Sequence, residues 1–387
     1  MKILHLVEKY YPSVGGMQEV VKQLSERMAA KGHDVTVITS FEENRIASEH
    51  NRVSIVSFKI TGNEVSGMQG DTKSFTTYLT ENKFDVVVCF AAQQWTFDAL
   101  IPVLTQLNCL KIFVPTGFSN LFNPAYKDYF KRMPEYMKLF HYNVFLSNTY
   151  RDIQFARLHN APGITVIPNG ASEEEFERES EINIRKLLNL PADEKIILHV
   201  GSLTGLKGHL EAALTYLLAR LRSTSLLFIS DNATAILPEL NRSRKFRLFK
   251  LLMPNKKIYA ESFNREETIA AFKQSNLFLF PSKVECSPLV LFECMAASLP
   301  FATSDAGNAA EIISWSGGGI ILPCIKDNQN YRRTNILKSA INIHKLMNDH
   351  GRMKLLSTSG YTAWKERFTW KNITLQYLNL YAKSDSI

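Results

Sequence analysis

The sequence lacks several short motifs that would identify a function at once. None of the five cysteines among 387 residues pairs with another at the two-residue spacing of a zinc or redox site, and no cluster has metal-ligand spacing. A full Gly-x-Gly-x-x-Gly fingerprint, the Gly-Lys-Ser/Thr ending of a phosphate loop and an Asp-x-Asp motif are all absent. The dispersed cysteines, most of them in apolar runs, favour buried free thiols and a reducing compartment.

Long apolar segments are absent as well. No run reaches the roughly 18 residues that cross a bilayer, and the opening residues, MKILHLVEKYYP, are too short and too charged for a signal peptide. We therefore expect a cytoplasmic protein, either free or peripheral on the inner face of the cell membrane.

Acidic residues are outnumbered by lysine and arginine, 37 to 45, which gives a formal net charge of +8. A basic balance suits nucleotides, nucleic acid or a membrane surface as partners, although solubility alone also explains it.

Apolar strand-like runs alternate with helical patterns along the chain, which predicts an α/β protein whose parallel sheets are covered on both faces. The length of 387 residues favours two domains over a single core. We predict a Rossmann-like domain at 1–175, a second at 176–365, and a C-terminal helix at 366–387 that returns toward the first domain. The predicted strands are 2–7, 35–40, 53–58, 85–90, 111–114, 143–146 and 164–168, then 195–201, 226–230, 257–259, 277–281, 301–304 and 319–322.

The segment from Phe280 to Ile312 carries the most information about function. Ser287 followed by Pro288 predicts a helix start, with Ser287 as the N-cap and Pro288 in the first helical position. The backbone amides of Leu289 and Val290 would then point outward and offer a phosphate site.

Two glutamates flank this helix start. Glu285 precedes it and would stay ionised beside the positive end of the helix. Glu293 lies in an otherwise apolar part of the helix, where a charge is costly to bury without a partner. Ribose hydroxyls would satisfy Glu293, and a salt-bridged or capping acid is the alternative.

Two loops with glycine follow other predicted strands. Gly15-Gly16 lies between the first strand and the first helix, where glycine lets a backbone approach a phosphate closely, although a tight turn is the simpler interpretation. The loop 201–208 contains Ser202 and ends in Lys207-Gly208. Lys207 is placed to pair with a phosphate as a point charge, although a surface lysine in solvent is the commoner case.

Three loops fall at the carboxyl ends of predicted strands, at 9–16, 201–208 and 282–287. Open α/β folds bind ligands at those ends, so we expect the three loops to meet in one cleft.

Together these motifs resemble the family 4 retaining glycosyltransferases (glycosyl transferases group 1) of the GT-B fold, over nearly the whole chain. The most specific part is the pair of glutamates, Glu285 and Glu293, with seven residues between them, followed by Met295-Ala296 and Leu299-Pro300. The resemblance implies an α/β protein of two Rossmann-like domains facing across a cleft. The corroborating runs, in family order, are Gly15-Gly16, Ile167-Pro168-Asn169-Gly170 with Phe176, Lys207-Gly208, Gly307 with Ala309–Ile312, and Phe368-Thr369-Trp370.

For donor binding, the resemblance implies that Glu293 holds the ribose of a nucleoside-diphosphate sugar. The amides of Leu289 and Val290, at the helix start formed by Ser287 and Pro288, would hold the diphosphate. UDP or GDP is the expected nucleotide.

For catalysis, the resemblance implies that Lys207 and the Gly16 amide neutralise charge on the leaving diphosphate. Gly15 and Ser202 would also line the donor site. Glu285 would bind a sugar hydroxyl or stabilise a cation. Neither a metal nor another cofactor is expected, because lysine and a helix N-terminus take their place.

The sequence departs from the family pattern at two positions. Ser202 stands where the family usually has an arginine, so one cation for the diphosphate is either missing or supplied from elsewhere. Gly117 lies near the position of a histidine in the loop after the fifth strand, so a histidine contact to the acceptor is not expected.

The implied function is transfer of a sugar, with retention of configuration, to a glycan or lipid-linked acceptor. The expected setting is synthesis of a cell-surface polysaccharide (lipopolysaccharide, O-antigen, capsule or exopolysaccharide). A sugar-nucleotide epimerase or a non-catalytic sugar-nucleotide-binding protein on the same scaffold is the alternative.

Two segments interleave cations with aromatic or apolar residues, at 126–140 and 242–252. This pattern suits the interface of an anionic membrane, and a solvated helix face with its apolar side packed inward is the alternative. The second segment is the stronger membrane candidate because its charge is dense and unbalanced. Nucleic acid is not an expected partner, because no recognised nucleic-acid module appears.

Overall fold

The computed structural model describes residues 1–327 and 331–386. They form two compact units, the first of Met1–Asn169 with the C-terminal segment from Trp370, and the second of Gly170–Thr369. The predicted boundaries, after residue 175 and before residue 366, lie a few residues away from these.

The first unit is built around one eight-stranded sheet. Its strands, with a separate two-stranded ribbon of β5 and β6, are β1 (Lys2–Leu6), β2 (Asp34–Ser40), β3 (Glu49–His50), β4 (Val53–Phe58), β5 (Ile60–Thr61), β6 (Gln69–Gly70), β7 (Val86–Phe90), β8 (Leu110–Val114), β9 (Tyr142–Phe145) and β10 (Ile164–Val166). Its helices before the boundary are α1 (Gly16–Ala30), α2 (Thr72–Glu81), α3 (Trp95–Leu100), α4 (Lys127–Lys138) and α5 (Arg151–Leu158).

The sheet of the first unit has the strand order β10-β9-β8-β7-β1-β2-β4-β3. All neighbours are parallel except the short edge strand β3, which pairs antiparallel with β4. All five residues of β7 are buried, because a central parallel strand is covered by other elements on both faces and needs apolar side chains at every position. The predicted strands of this half are confirmed, with ends shifted by at most two residues.

The second unit repeats the α/β design. Its strands are β11 (Lys195–Val200), β12 (Thr224–Ile229), β13 (Lys257–Glu261), β14 (Leu277–Phe280), β15 (Phe301–Thr303), β16 (Gly319–Ile321), β17 (Cys324–Lys326) and β18 (Arg332–Thr334). Its helices are α6 (Glu173–Glu177), α7 (Ile184–Leu187), α8 (His209–Leu218), α9 (Ala233–Arg242), α10 (Arg244–Leu252), α11 (Arg265–Gln274), α12 (Leu289–Ala296), α13 (Ala309–Ser316), α14 (Ile336–Asn348) and α15 (His350–Ala363).

Six parallel strands form the main sheet of the second unit, in the order β13-β12-β11-β14-β15-β16. Alternate side chains of one strand face opposite sides of a sheet. Ile196 and Leu198 of β11 therefore join one apolar cluster, and Ile197 joins the cluster on the other face. Counted from the first strand of the unit, this order is 3-2-1-4-5-6, the arrangement of dinucleotide-binding Rossmann folds.

The predicted C-terminal helix begins later than expected. Residues Trp364–Phe368 form a π-helical turn, and the last helix, α16, is Trp370–Tyr381, followed by a short 3-10 turn. Thr369 interrupts the helix because its backbone is extended (φ −71°, ψ 146°) and forms a β-bridge with Ala171. Trp364 Nε1 also donates to the Ala171 carbonyl at 3.1 Å, so the two segments at the ends of this unit lie side by side.

A buried polar chain attaches α16 to the first sheet. His5 of β1 lies 2.7 Å from Ser25 Oγ of α1 through Nδ1, and 3.2 Å from the Tyr381 hydroxyl through Nε2. All three side chains are fully buried. Burial lowers the pKa of His5 to about 3, so the imidazole is neutral and bridges two hydroxyl groups without a charge.

We predict that Tyr381→Phe destabilises the protein by about 1–3 kcal/mol, because it leaves a buried imidazole nitrogen without its partner. Tyr361→Phe is the matched control, since Tyr361 is 36% exposed and its change should stay within about 0.5 kcal/mol. Urea unfolding of the two variants measures the difference. Equal unfolding midpoints would show that the hydroxyl of Tyr381 contributes nothing to the attachment of α16.

Candidate active site

The strand order of the second sheet reverses between β11 and β14. Strands added after β11 extend the sheet in one direction, and those added after β14 extend it in the other. The loops 201–208 and 281–288 leave the carboxyl ends of these two neighbours and flank the point of reversal. Open α/β sheets bind their ligands at such a point.

Backbone and side-chain hydrogen bonds tie the two loops together. The Leu206 carbonyl accepts from the Lys283 amide at 2.8 Å, and Ser282 Oγ lies 3.2 Å from the same oxygen. Lys283 Nζ donates to the Gly205 carbonyl at 3.0 Å. The loops therefore form one structure, although about 80 residues separate them in sequence.

Lys207 and Glu285 meet where the loops touch. Lys207 Nζ lies 2.7 Å from Glu285 Oε1, and Ser282 Oγ donates to the same oxygen at 2.7 Å. The side chain of Lys207 is 27% exposed and that of Glu285 is 10% exposed. Lys207 is thus not a lysine in open solvent, because it forms an ion pair with the carboxylate that the sequence assigned to the same site.

Gly208 makes this close approach of the loops possible. Its φ is +81°, and a Cβ at this position would lie 2.2 Å from the Pro281 carbonyl oxygen. Only glycine combines a left-handed backbone with the absence of a side chain. Gly208 is also the N-cap of α8, so the position of Lys207 is fixed relative to that helix.

Gly307 supports the other side of the Glu285 loop. Its φ is +63°, and a Cβ would lie 2.4 Å from the Cys286 carbonyl oxygen. The same oxygen accepts from the Asn308 amide at 2.9 Å. The turn after β15 therefore packs directly against the backbone of Cys286, next to Glu285.

The start of α12 differs from the prediction. Pro288 is the N-cap, with an extended backbone (φ −70°, ψ 116°), and the helix begins at Leu289. Ser287 is therefore not the N-cap, and Pro288 is not in the first helical position, because its ψ is far from the helical value. The Leu291 amide donates to the Pro288 carbonyl at 3.2 Å, so Leu289 and Val290 remain the first helical residues, whose amides have no acceptor within the helix.

Glu293 is buried in α12 and has a charged partner that sequence reasoning missed. Arg265 Nη1 lies 2.5 Å from Glu293 Oε1, and Arg265 Nη2 lies 2.5 Å from Glu175 Oε2. Burial is the largest influence on the pKa of Arg265 and lowers it, but the two glutamates, Glu293 first, outweigh burial and the pKa is raised. Glu293 is therefore a salt-bridged acid in this structure, which was the alternative interpretation of the sequence. Binding of a ribose by Glu293 stays a prediction.

One local sequence pattern indicates where Arg265 lies. Asn264 caps α11 and Glu267 completes a capping box, which places Arg265 in the first turn of that helix. This pattern gives no sign of the partners of Arg265, because Glu175 and Glu293 belong to distant parts of the chain.

Two neutral histidines lie beneath the 201–208 loop. His199 of β11 is fully buried and bonded through Nδ1 to the Leu279 carbonyl at 2.8 Å. The His209 ring, at the start of α8, is 4.6 Å from that of His199. Burial lowers the pKa of His209 to about 4 and holds the pKa of His199 well below its ordinary value, so neither adds positive charge beside Lys207 at neutral pH.

The other predicted donor-site residues occupy loops or helix starts. Ser202 is half-buried in the 201–208 loop, and its carbonyl accepts from the Thr204 amide at 2.9 Å. Gly16 is the first residue of α1 and Gly15 its N-cap. The φ of Gly15 is 170°, an extended conformation open to any residue, so backbone strain does not explain this glycine.

In the first unit, the loops after β7 and β8 have an unusual backbone. Ala91, Gln93, Thr116 and Phe118 have positive φ between 46° and 65°, which costs about 1–3 kcal/mol each and clusters at functional sites in other proteins. The Gln93 side chain holds the loops together through bonds to the Asn120 amide at 3.1 Å and to Ser119 Oγ at 3.2 Å. Sequence reasoning considered only the missing histidine of this region and did not find Gln93.

Within residues 1–327 and 331–386, no three His, Cys, Asp or Glu side chains come together as ligands for a metal ion. Over the same residues, no helix has both the length and the apolar character needed to cross a membrane.

Comparisons with known proteins agree with this architecture. The model for Glycosyltransferase Family 4 matches residues 14–175, and that for Glycosyl transferases group 1 matches residues 180–336. An uncharacterized glycosyltransferase of Methanocaldococcus jannaschii is 24% identical, with 98% of both chains covered. Sucrose-phosphate synthase from Thermosynechococcus elongatus has a TM-score of 0.75 at 19% identity, covering 100% of this chain and 99% of its own. The Anabaena protein HepE, solved with UDP, has a TM-score of 0.76 at 13% identity, covering 99% and 100%.

The two Rossmann-like units have the GT-B fold of these solved structures, and the family matches make the protein a glycosyltransferase. The chain belongs to the glycosyl transferases group 1, with a Family 4 domain in its first half.

We predict that Gly208→Ala destabilises the second unit more than Gly205→Ala does. Both glycines have positive φ, +81° and +76°, but a Cβ at Gly205 meets nothing within 4 Å. The control therefore bears only the left-handed backbone cost of about 1–2 kcal/mol, and Gly208→Ala adds the collision with the Pro281 carbonyl. Thermal unfolding of the two variants measures the difference. Equal losses would mean that the loops do not need their close approach.

Proposed function

We propose that this glycosyltransferase moves a sugar, with retention of configuration, from a nucleoside-diphosphate sugar to a glycan or lipid-linked acceptor. The observation that carries the proposal is the Lys207–Glu285 pair, at 2.7 Å, between the two loops of the switch point. A cation and a carboxylate held together there suit a reaction in which a diphosphate leaves and positive charge develops on the sugar.

The proposed donor is a UDP- or GDP-sugar. The solved complexes of HepE contain UDP, UDP with glucose, and UDP-glucose, which favours uridine. Glu293 would bind the ribose, and its ion pair with Arg265 keeps the carboxylate oriented. The exposed fraction of Arg265, 42%, leaves part of the guanidinium accessible to the nucleotide.

The proposed diphosphate site consists of the Leu289 and Val290 amides, at the start of α12, together with Lys207. Ser202, Gly15 and Gly16 would contribute further backbone or hydroxyl contacts. Lysine has three donor hydrogens, so Lys207 would keep its ion pair with Glu285 and bind a phosphate oxygen at the same time. No resident metal or other cofactor is proposed, because these groups supply the charge and the hydrogen bonds that a departing diphosphate needs.

In the proposed reaction, the bond between the anomeric carbon and the diphosphate oxygen breaks, and a bond from the acceptor oxygen forms on the same face of the sugar. The acceptor proton passes to the departing diphosphate. Lys207 stabilises the charge on that diphosphate, and Glu285 binds a sugar hydroxyl or stabilises the positive charge on the sugar.

The proposed setting is synthesis of a cell-surface polysaccharide, in the cytoplasm or at the inner face of the cell membrane. A structurally similar protein, WaaG, is a glycosyltransferase involved in lipopolysaccharide biosynthesis, with a TM-score of 0.67 at 14% identity. A lipid-linked acceptor would require this enzyme to visit the membrane surface.

We predict that a UDP- or GDP-sugar raises the thermal stability of the protein in a screen of UDP-, GDP- and TDP-sugars. A ligand present at 100 times its dissociation constant stabilises the native state by about 2.7 kcal/mol. The matching free sugars without nucleotide are the control and should have no effect. A screen in which no nucleotide sugar changes the melting temperature would contradict the proposed donor class.

We predict that Lys207→Ala and Glu285→Ala each reduce transfer by about 10²–10³-fold, the usual effect of removing one preorganised charged group. Lys338→Ala and Glu239→Gln change exposed charges of the same unit and serve as controls. Release of nucleoside diphosphate from the donor found by the screen measures the rate, and thermal unfolding confirms that each variant is folded. Wild-type rates in both variants would refute the assignment, and sugar epimerisation without transfer would favour an epimerase.

A further inference from the structure

Helix α10 and the turn after it carry positive charge that no nearby acid balances in sequence. Between Glu239 and Glu261 there are seven lysines and arginines and no acidic residue. Arg244, Lys245 and Arg247 of α10 are exposed. Lys257, in the strand that follows, is exposed as well. The remaining three cations are bonded within the protein: Arg242 to Glu239, Lys250 to the Lys256 carbonyl, and Lys256 to the Ala219 and Leu221 carbonyls. Arg247 also donates through Nη1 to the Asn241 carbonyl at 2.7 Å.

The same helix exposes large aliphatic side chains. Phe246 is only 2% exposed and fixes α10 to the apolar cluster that contains α8 and α14 residues. The residues on its outer side are Leu248, Leu251, Leu252 and Met253, with exposed fractions of 53%, 77%, 60% and 39%. Four large apolar side chains within six residues are unusual on a solvated surface, where single exposed residues are the norm.

Helix α4 is a comparison within the chain, because it has a similar mixture of cations and apolar residues. Its Tyr129, Phe130, Met133 and Met137 are all buried. Helix α4 therefore packs its apolar side inward, which was the alternative to membrane contact for segment 126–140. The outward leucines of α10 are therefore not a general consequence of this kind of sequence.

We propose that α10 and its following turn dock onto an anionic lipid bilayer. Leu248, Leu251 and Leu252 enter the boundary between head groups and acyl chains, and Arg244, Lys245 and Arg247 contact the negatively charged head groups. Amphipathic surface helices bind bilayers through this combination of buried apolar area and electrostatic attraction. The proposal rests on the proposed function in one respect, since a membrane surface is where a lipid-linked acceptor resides.

The exposed side chains favour a bilayer over a nucleic acid. Proteins that bind single strands without sequence preference stack bases on aromatic rings. The two aromatic residues of α10 are not available for that purpose, since Phe246 is buried and Phe249 is half-buried. Aliphatic side chains at the outermost positions suit acyl chains.

Co-sedimentation of the full-length chain with vesicles tests the proposal. We expect binding to vesicles of phosphatidylcholine with phosphatidylglycerol at low salt, weaker binding at high salt because charges are screened, and little binding to phosphatidylcholine alone. Failure to sediment with the anionic vesicles at low salt would overturn the proposal.

Two triple variants separate the charges from the leucines. Replacing the cations should weaken binding by about 100-fold, from about 1 kcal/mol for each cation near an anionic surface, and replacing the leucines should weaken it at least about tenfold. Glutamine is the substitute in both because it is a good helix former. The charge variant is Arg244→Gln, Lys245→Gln and Arg247→Gln, and the apolar variant is Leu248→Gln, Leu251→Gln and Leu252→Gln.

Matched controls lie on α14 and α15 of the same unit, whose substituted side chains are also exposed. They should bind vesicles as the wild type does, and equal loss in controls and test variants would overturn the proposal. The charge control is Lys338→Gln, Lys345→Gln and Lys354→Gln, and the apolar control is Leu337→Gln and Ile341→Gln.

Two further measurements identify which hypothesis fails. The α10 variants should keep the increase in thermal stability that the donor causes. Loss of vesicle binding with that increase intact then tests the membrane surface alone. Absence of any increase with the donor counts against the proposed function alone. The second measurement is binding of a single-stranded RNA oligonucleotide. If the charge variant loses RNA binding while the apolar variant still binds vesicles, α10 is a nucleic-acid surface and the proposal is overturned.

Discussion

The ion pair between Lys207 and Glu285 is the contact on which the rest of the site depends. Its partners are 78 residues apart in sequence and meet because β11 and β14 are adjacent parallel strands whose loops leave the same edge of the sheet. The lysine is 27% exposed, so solvent screens the pair and its contribution to stability is small. Its importance is geometric, because it holds a cation and a carboxylate within 3 Å of each other at the point where a Rossmann sheet accepts a ligand.

Backbone constraints make that pair possible. Gly208 and Gly307 each lie so close to a carbonyl oxygen that the Cβ of any other residue would collide with it. One brings the Lys207 loop against the end of β14, and the other brings the turn after β15 against the Glu285 loop. Both glycines also have a left-handed φ, so the loops are fixed by the backbone before any side chain contributes.

Charge has two distinct uses in the second unit. At the candidate site Lys207 forms an ion pair with Glu285, and Arg265 forms ion pairs with two glutamates at once. On α10 the exposed cations stand beside exposed leucines and lack acidic neighbours in sequence. A partnered charge is held in place for a ligand of defined geometry, and an unbalanced basic surface attracts any extended negative surface.

The sequence by itself determined the main parallel strands, the two-unit organisation and the segments that carry the candidate site residues. A buried parallel strand requires an uninterrupted apolar run, and the positions of Lys207, Glu285 and Glu293 followed from motifs only a few residues long. Only the tertiary structure decided which of these residues touch. It paired Lys207 with Glu285 and Glu293 with Arg265, moved the start of α12 to Leu289, and packed α4 inward while leaving the leucines of α10 exposed. The physical reason is that apolar patterning and turn propensity act between neighbours in sequence, whereas ion pairs and exposure depend on which strands and helices become neighbours in space.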